Sequence, residues 1–232
     1  MNAALQHDTL TRSVEDYLKA IYRLSPRGRT ASTSEIAQRL ELSPASVSGM
    51  VKRLSEHGLL EHVPYKGVQL TADGRRAALR MLRRHRLIEA YLVAFLGYTW
   101  DTVHDEAERL EHAVSDTLVE RMAAVLGNPA VDPHGDPIPT PEGDIHESAS
   151  IPLSEVPAGT SVEVRQVEEG QPDRLRYIAS VGLRPGVHLT VVDRQPFQGP
   201  ITIEVAGQTH VIGNELGQVV RCATDEDGVG EA

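Results

Sequence analysis

The chain has 232 residues, of which 40% are hydrophobic and 24% charged, with a formal net charge of −10 and a single cysteine. This composition is ordinary for a soluble globular protein, leaves room for one large domain or two to three small ones, and excludes an internal disulfide. The acidity argues against nucleic acid only as an average. Residues 1–90 hold 15 Lys/Arg against 9 Asp/Glu, whereas residues 91–232 hold 8 against 24, the asymmetry of a nucleic-acid-binding head on an acidic body. No basic segment followed by a long apolar run opens the chain, and the longest apolar stretch, around AYLVAFLGY, falls well short of the ~20 residues of a membrane span. The expectation is a cytoplasmic protein without a membrane partner.

Residues 11–24, TRSVEDYLKAIYRL, predict a helix with Val14, Leu18 and Ile21 on one face and Ser13 as N-cap. After the turn SPRGRT, the stretch Ser32-Thr33-Ser34-Glu35 is a capping-box signature leading into a short helix, EIAQRL. Ser43-Pro44 then sets an N-cap residue before a proline at the first helical position. The helix ASVSGMVKRLSEH turns Val47, Met50, Val51 and Leu54 inward and stops at Gly58. LLEHVPYKGVQLT alternates about a Tyr-Lys-Gly turn and reads as a two-stranded wing. Helix, short helix, tight turn, helix and hairpin in this order make a winged helix-turn-helix. Its outward face carries Ser43, Ala45, Ser46, Ser48 and Gly49 to approach bases and Lys52, Arg53 and Lys66 to approach phosphates. The alternative is a winged helix that docks protein.

Thr71 caps a long helix, ADGRRAALRMLRRHRLIEAYLVAFL, whose first half is basic. Beyond the GYTWDT turn, VHDEAERLEHAVSD (103–116) continues as a helix through DTLVERMAAVL to Gly127. Val103, Ala107, Leu110 and Val114 form its buried stripe. Beside that stripe stand His104, Glu108, Glu111 and His112, and on the preceding helix His85 and Glu89 are again i, i+4. If the two helices pack antiparallel, three imidazoles and three carboxylates meet, a shell for a pair of divalent cations. Each residue alone reads as a solvated side chain; six in register do not. Asp105, Glu106 and Asp116 fall outside both faces and are expected to be solvated.

Two enzyme templates fail. His-Glu-x-x-His is absent, and the residue three before His112 is Arg109 rather than the Glu of a di-iron Glu-x-x-His motif. No nucleophile elbow, glycine-rich phosphate loop or Cys-x-x-Cys is present, so no catalytic residue is assigned. A di-metal enzyme on the helical pair and a metal-insensitive winged-helix regulator stand as alternatives.

Residues 129–141 hold five prolines and predict an extended, semi-rigid connector. From residue 150 the pattern becomes short alternating runs, TSVEVRQV, GVHLTVVDR, ITIEVAG, QTHVIG and GQVVRCA, which predict a small antiparallel β-barrel. The tail TDEDGVGEA reads as acidic and disordered. The fold class is thus mainly α with a C-terminal β domain. It divides into a DNA-binding head (1–72), a helical metal and dimerisation domain (73–128), a Pro-rich linker (129–149), a β domain (150–224) and the tail (225–232).

At EDYLKAIYRL, SPASVSGMVKRLSEHGLL, RRHRLIEAYL, VHDEAERLEHAVSD and HGDPIP the sequence resembles the diphtheria-toxin-repressor family of metal-dependent transcriptional regulators. From LSEVPAGTSVEV through VGLRPG to VVDR it is similar to that family's SH3-like domain. The resemblance implies a homodimer that binds double-stranded, pseudo-palindromic operator DNA, with two metal positions per subunit. His85, Glu89 and His104 fall where the family builds one site; Asp16, Glu108, Glu111 and His112 fall where it builds the other. In the iron-sensing branch Met and Cys stand at the positions of Asp16 and Glu108. Hard oxygen ligands there, as in the manganese-transport-regulator branch, favour Mn²⁺, with Fe²⁺ or Co²⁺ as further candidates. Lys19 departs from the Glu that the manganese branch often carries. Gln171 and Asp173 are the implied counterparts of the extra ligands that the SH3-like domain supplies in the iron branch.

Overall fold

The computed structural model describes residues 11–25, 28–146 and 149–224; the tail, read from sequence as disordered, lies outside them. Two compact units emerge, Met1–His85 with Pro139–Ile145, and Arg86–Ile138 with His146–Ala232. None of the described helices is long and apolar enough to cross a membrane.

The first unit opens with α1 (Arg12–Leu24), whose N-cap is Thr11 rather than Ser13, two residues earlier than the polar pattern suggested. Helix α2 (Thr33–Leu40) starts in the expected capping box: Ser32 Oγ accepts from Glu35 N at 3.2 Å, and Glu35 Oε2 accepts from Ser32 N at 2.8 Å. These bonds, with Arg29 beside them, hold the Glu35 carboxyl down at about 2. Helix α3 (Pro44–Glu56) has Pro44 at its first turn and Ser43 Oγ accepting from Ser46 N at 3.2 Å. Strands β1 (Leu60–Val63) and β2 (Gly67–Leu70) form the antiparallel wing. Tyr17, Leu18, Ile21, Ile36, Val47, Val51, Leu54, Leu60 and Val68 close one apolar core between helices and wing. Met50, expected inside, is only half-buried.

Helix α4 (Ala72–Leu96) begins with Thr71 Oγ1 accepting from Gly74 N at 3.1 Å, as the sequence suggested. The segment after it corrects the expectation. In place of one helix to residue 127, the second unit has α5 (Val103–Leu110) and α6 (Asp116–Val125). Ser115 ends the first by N-capping the second, its Oγ accepting from Leu118 N at 3.3 Å. A serine followed by aspartate competes with helix continuation because it satisfies the orphan N–H groups of a new start. Val103 and Ala107 are buried with Ile88 and Leu92, as their spacing required.

The Pro-rich segment is non-helical, yet it is no spacer. Val131 bridges Pro137, and Asp132, His134 and Ile138 are buried. Gly135, at φ +86, lies against the Arg165 carbonyl where a Cβ would come within 2.0 Å, so this approach requires glycine. Val167 N donates to His134 O at 2.8 Å. Arg86 Nη2 donates to Asp136 Oδ1 at 2.8 Å and Arg86 Nη1 donates to Pro137 O, while Gln166 Nε2 reaches Asp136 Oδ1 at 3.1 Å.

The C-terminal part is a six-stranded antiparallel sheet in the order β3-β8-β4-β5-β6-β7. Its strands are β3 (Ile151–Pro152), β4 (Ser161–Val167), β5 (His188–Arg194), β6 (Ile201–Val205), β7 (Gln208–Ile212) and β8 (Val220–Thr224). Among the described residues β3 and β7 are edges of a linear ladder, where the sequence suggested a barrel. Two helices escaped the alternation reading, α7 (Pro172–Ser180) and α8 (Asn214–Val219). Leu175 and Ile178 of α7 are buried in the sheet's core beside Val164, Val191, Ile203 and Cys222. Burial pushes the Cys222 thiol up to about 12, leaving it a packing residue.

Candidate metal centre

Helix α4 delivers Glu89 and, one turn earlier on the same helix, His85; both are buried. Helix α5 delivers His104 and Glu108, again one turn apart. Within the second unit His104 Nδ1 lies 3.2 Å from Glu89 Oε1 and 3.5 Å from Glu169 Oε2. Glu169, just beyond β4, carries no periodic signal in sequence; only the fold reveals it. Glu89, His104 and Glu169 each offer a ligand atom within 4.8 Å of the others. Gln171 and Asp173, the counterparts drawn from the resemblance, do not join them: both are exposed, and Asp173 pairs with Arg176.

A second set overlaps the first. Glu89 and Glu169 also stand within 4.8 Å of Asp132 and His134 from the Pro-rich segment. His134 Nε2 lies 2.7 Å from the Trp100 carbonyl, which only accepts, so Nε2 donates there and Nδ1 faces the carboxylates. That Nδ1 is buried, without a hydrogen-bond partner among the described residues, 3.9 Å from Glu89 Oε2. Asp132 Oδ1 accepts from His134 N at 2.8 Å and Asp136 N at 3.0 Å, whereas its Oδ2 has no such donor. Burial, then the negative charge of Asp136 and Glu89, push the Asp132 carboxyl well above the usual range against the pull of Arg86. The sequence had flagged HGDPIP only as family likeness and prolines only as stiffness, so Asp132 and His134 went unrecognised.

The third set is local. Glu108 on α5 and Glu111 and His112 in the turn after it lie within 4.8 Å of one another, and Glu111 is fully buried. The early end of α5 leaves the i, i+3, i+4 placement intact because the turn keeps helical geometry at Glu111 (φ −57, ψ −28). His104 stands between the sets, its Nε2 3.8 Å from Glu108 Oε1. Asp16 is half-buried on α1 of the other unit.

Buried carboxylates clustered with imidazoles are costly unless a cation compensates them. The donor set, carboxylate oxygen and imidazole nitrogen without thiolate, suits borderline-to-hard divalent ions. The residues present therefore fit a divalent metal.

On the head, Ser43, Ala45, Ser46, Ser48, Gly49, Lys52, Arg53 and Lys66 are all exposed, as expected of a nucleic-acid face. Ser48 Oγ donates to Pro44 O at 2.9 Å, and nothing lies within 4 Å of a Cβ built on Gly49. No packing demand inside the chain accounts for a glycine in mid-helix there, where it costs roughly 0.5–1 kcal/mol relative to alanine.

A winged helix-turn-helix joined in one chain to a carboxylate–imidazole centre and a small β domain defines a metal-responsive transcriptional regulator, not an enzyme. Comparison with known proteins places it further. Residues 9–68 match the iron dependent repressor N-terminal DNA-binding domain, residues 71–140 its metal binding and dimerisation domain, and residues 151–223 the FeoA domain. The chain belongs to the iron-dependent, diphtheria-toxin-repressor family. It is 35% identical over 225 residues to the iron-dependent repressor IdeR of Mycobacterium tuberculosis, covering 91% of this chain and 97% of the relative. With the diphtheria toxin repressor of Corynebacterium diphtheriae it shares 32% over 222 residues, 91% and 97% of the two chains. A manganese-dependent transcriptional repressor solved with manganese superposes with a TM-score of 0.85 at 40% identity, over 91% of this chain and 99% of that one. ScaR with bound Cd²⁺ follows at 0.79 and 34%, over 91% and 99%.

Proposed function

We propose that this protein is a cytoplasmic, homodimeric repressor that binds operator DNA when loaded with Mn²⁺. The observation that carries the reading is the pairing, in one chain, of an exposed winged-helix face with buried carboxylates and imidazoles that a divalent cation would neutralise. Glu108, Glu111 and His112 would hold one cation, to which the family resemblance adds Asp16. His85, Glu89, His104 and Glu169 would hold the other, with Asp132 and His134 as a second choice of ligands around the same two shared carboxylates.

Manganese is favoured because Asp16, Glu108, Glu111 and His112 offer oxygen and imidazole without sulfur; Fe²⁺ or Co²⁺ also accepts such donors. The bound ion supplies positive charge and fixed coordination, and the chain's carboxylates supply the response, since they repel one another without it. A coupling of about 1–3 kcal/mol, typical of allosteric proteins, corresponds to a roughly 5–150-fold change in DNA affinity. The helices α4–α6 would form the dimer contact, so that two heads face the half-sites of a pseudo-palindrome. Genes for metal uptake are the expected targets.

The test is fluorescence anisotropy on a duplex enriched from a random pool, with and without Mn²⁺. Binding is expected to strengthen with Mn²⁺ and to lose that response in Asp16→Ala and His112→Ala. Equal binding in chelator and in Mn²⁺ by the wild type would refute the reading.

A further inference from the structure

Trp100 is the only tryptophan of the chain. By sequence it belongs to the turn that opens α5, where Thr102 N and Val103 N both donate to Thr99 O at 3.0 Å. Its packing lies elsewhere. Trp100 is 3% exposed and forms part of the apolar core of the β domain, with Leu153, Val164 and Leu183.

The same residue holds His134 twice. The imidazole stacks on the indole, with 5.7 Å between ring centroids and an interplanar angle of 22°. Its Nε2 donates to the Trp100 carbonyl at 2.7 Å. A flip of the imidazole would break that hydrogen bond and a tilt would break the stack. One orientation is therefore fixed, with the buried Nδ1 3.9 Å from Glu89 Oε2. A carbonyl behind the imidazole is how a metal-binding histidine is oriented and its ligating nitrogen chosen.

Two arginines of the β domain hold this turn. Arg184, between α7 and β5, sets its guanidinium over the indole, 4.7 Å from the ring centroid. The negative face of the ring attracts that cation. Arg176 of α7 donates to Asp101 Oδ2 at 2.9 Å, one residue beyond Trp100. Both arginines are exposed, so neither serves to fill the core.

We infer that Trp100 is a positioning residue for metal: it aims His134 Nδ1 at the cation shared by Glu89 and Glu169, and Arg184 steadies it. This role rests on the metal-binding reading above and commits that site to His134 as a ligand. It also gives the β domain a second part in the centre besides Glu169, because the core that buries Trp100 must fold before His134 is aimed. Glu108, Glu111 and His112, grouped by helical geometry, serve as the internal control.

The experiment titrates the full-length wild type, Trp100→Leu, Trp100→Phe and Arg184→Gln with Mn²⁺ by calorimetry, following Trp100 emission where the indole remains. In the wild type, Mn²⁺ one imidazole away from the indole should quench it as the Glu89 site fills. Glu111→Gln, which weakens the local set, should keep that quenching. Trp100→Leu retains the carbonyl but loses the stack, and affinity at the Glu89 site should fall about tenfold, the low end for partners that orient a ligand, with the local site unchanged. Trp100→Phe should recover most of that affinity. Both substitutions should lower the thermal midpoint in chelator through lost core volume, so the affinities separate positioning from packing. Arg184→Gln should weaken the same site a few-fold at an unchanged midpoint. Unchanged Mn²⁺ affinities in Trp100→Leu, an equal fall at both sites, or emission blind to a bound second ion would overturn the positioning role. Should Trp100→Leu fail to fold, Arg184→Gln and the wild-type emission still decide it. A wild type that binds no Mn²⁺ would overturn the metal reading beneath it.

Discussion

The local carboxylate–imidazole set and the two overlapping sets that share Glu89 and Glu169 are chemically alike and built in opposite ways. Glu108, Glu111 and His112 come from five consecutive residues, and local helical geometry alone aims them at one point. The set around Glu89 draws on α4, α5, the Pro-rich segment and the loop after β4, so it exists only once four segments have packed. A local set keeps its geometry in a partly folded chain, and its affinity is set by donor chemistry. A dispersed set couples metal affinity to tertiary stability, because a cation that binds only the assembled form stabilises that form.

Arg86 tests the dispersed set most severely. It is buried between Asp132, at 3.8 Å from its Oδ2, and Asp136. Arg86→Met strands the buried Asp132 beside the half-buried Asp136 and is expected to cost about 3–5 kcal/mol, read as a fall in the thermal midpoint. Added Mn²⁺ should recover part of it; failure to do so would separate this network from the metal. Glu111→Gln, next in size, should lower Mn²⁺ affinity by at least about tenfold and abolish metal-stimulated DNA binding, with the apo melting temperature unchanged or raised. Calorimetric titration against Mn²⁺ resolves the loss. Glu169→Gln should weaken one Mn²⁺ site by a few-fold to about tenfold and leave a residual DNA response. If Glu169→Gln were the more damaging of the two, the local set would not be the regulatory one.

The smallest effect lies in the head. Glu35 is held at about 2 against an ordinary 4.5, so its contribution is complete above pH 4.5 and disappears as pH falls towards 2. Glu35→Gln should therefore melt below the wild type at neutral pH, with the gap closing through that window. A gap that persists at pH 2 would assign the stabilisation to something other than the ionised capping box.

What could be read in the sequence follows the same division. The capping box at Ser32, the Ser43-Pro44 start of α3 and the wing are local signals, and each appears where it was expected. The grouping of Glu108, Glu111 and His112 was legible because helical spacing fixes it, even though α5 ends earlier than periodicity implied. Glu169, Asp132 and His134 were not legible. Their approach depends on Gly135 pressing against Arg165 and on Arg86 gripping Asp136, contacts between segments about 30–80 residues apart that leave no period in the chain.

Sequence by itself therefore determined the class of element, the basic head, the regulatory family and the oxygen-rich character of the candidate metal ligands. Tertiary structure decided which carboxylates lose their water together, that a proline-rich stretch is a folded wall of the centre, and that α7 packs into the β domain. Periodicity reports the environment of one element at a time, whereas burial of charge is a property of several elements meeting. The wing tip lies between these cases: Pro-Tyr-Lys-Gly announced a turn, and only the tertiary structure showed the positive φ and full exposure of Tyr65.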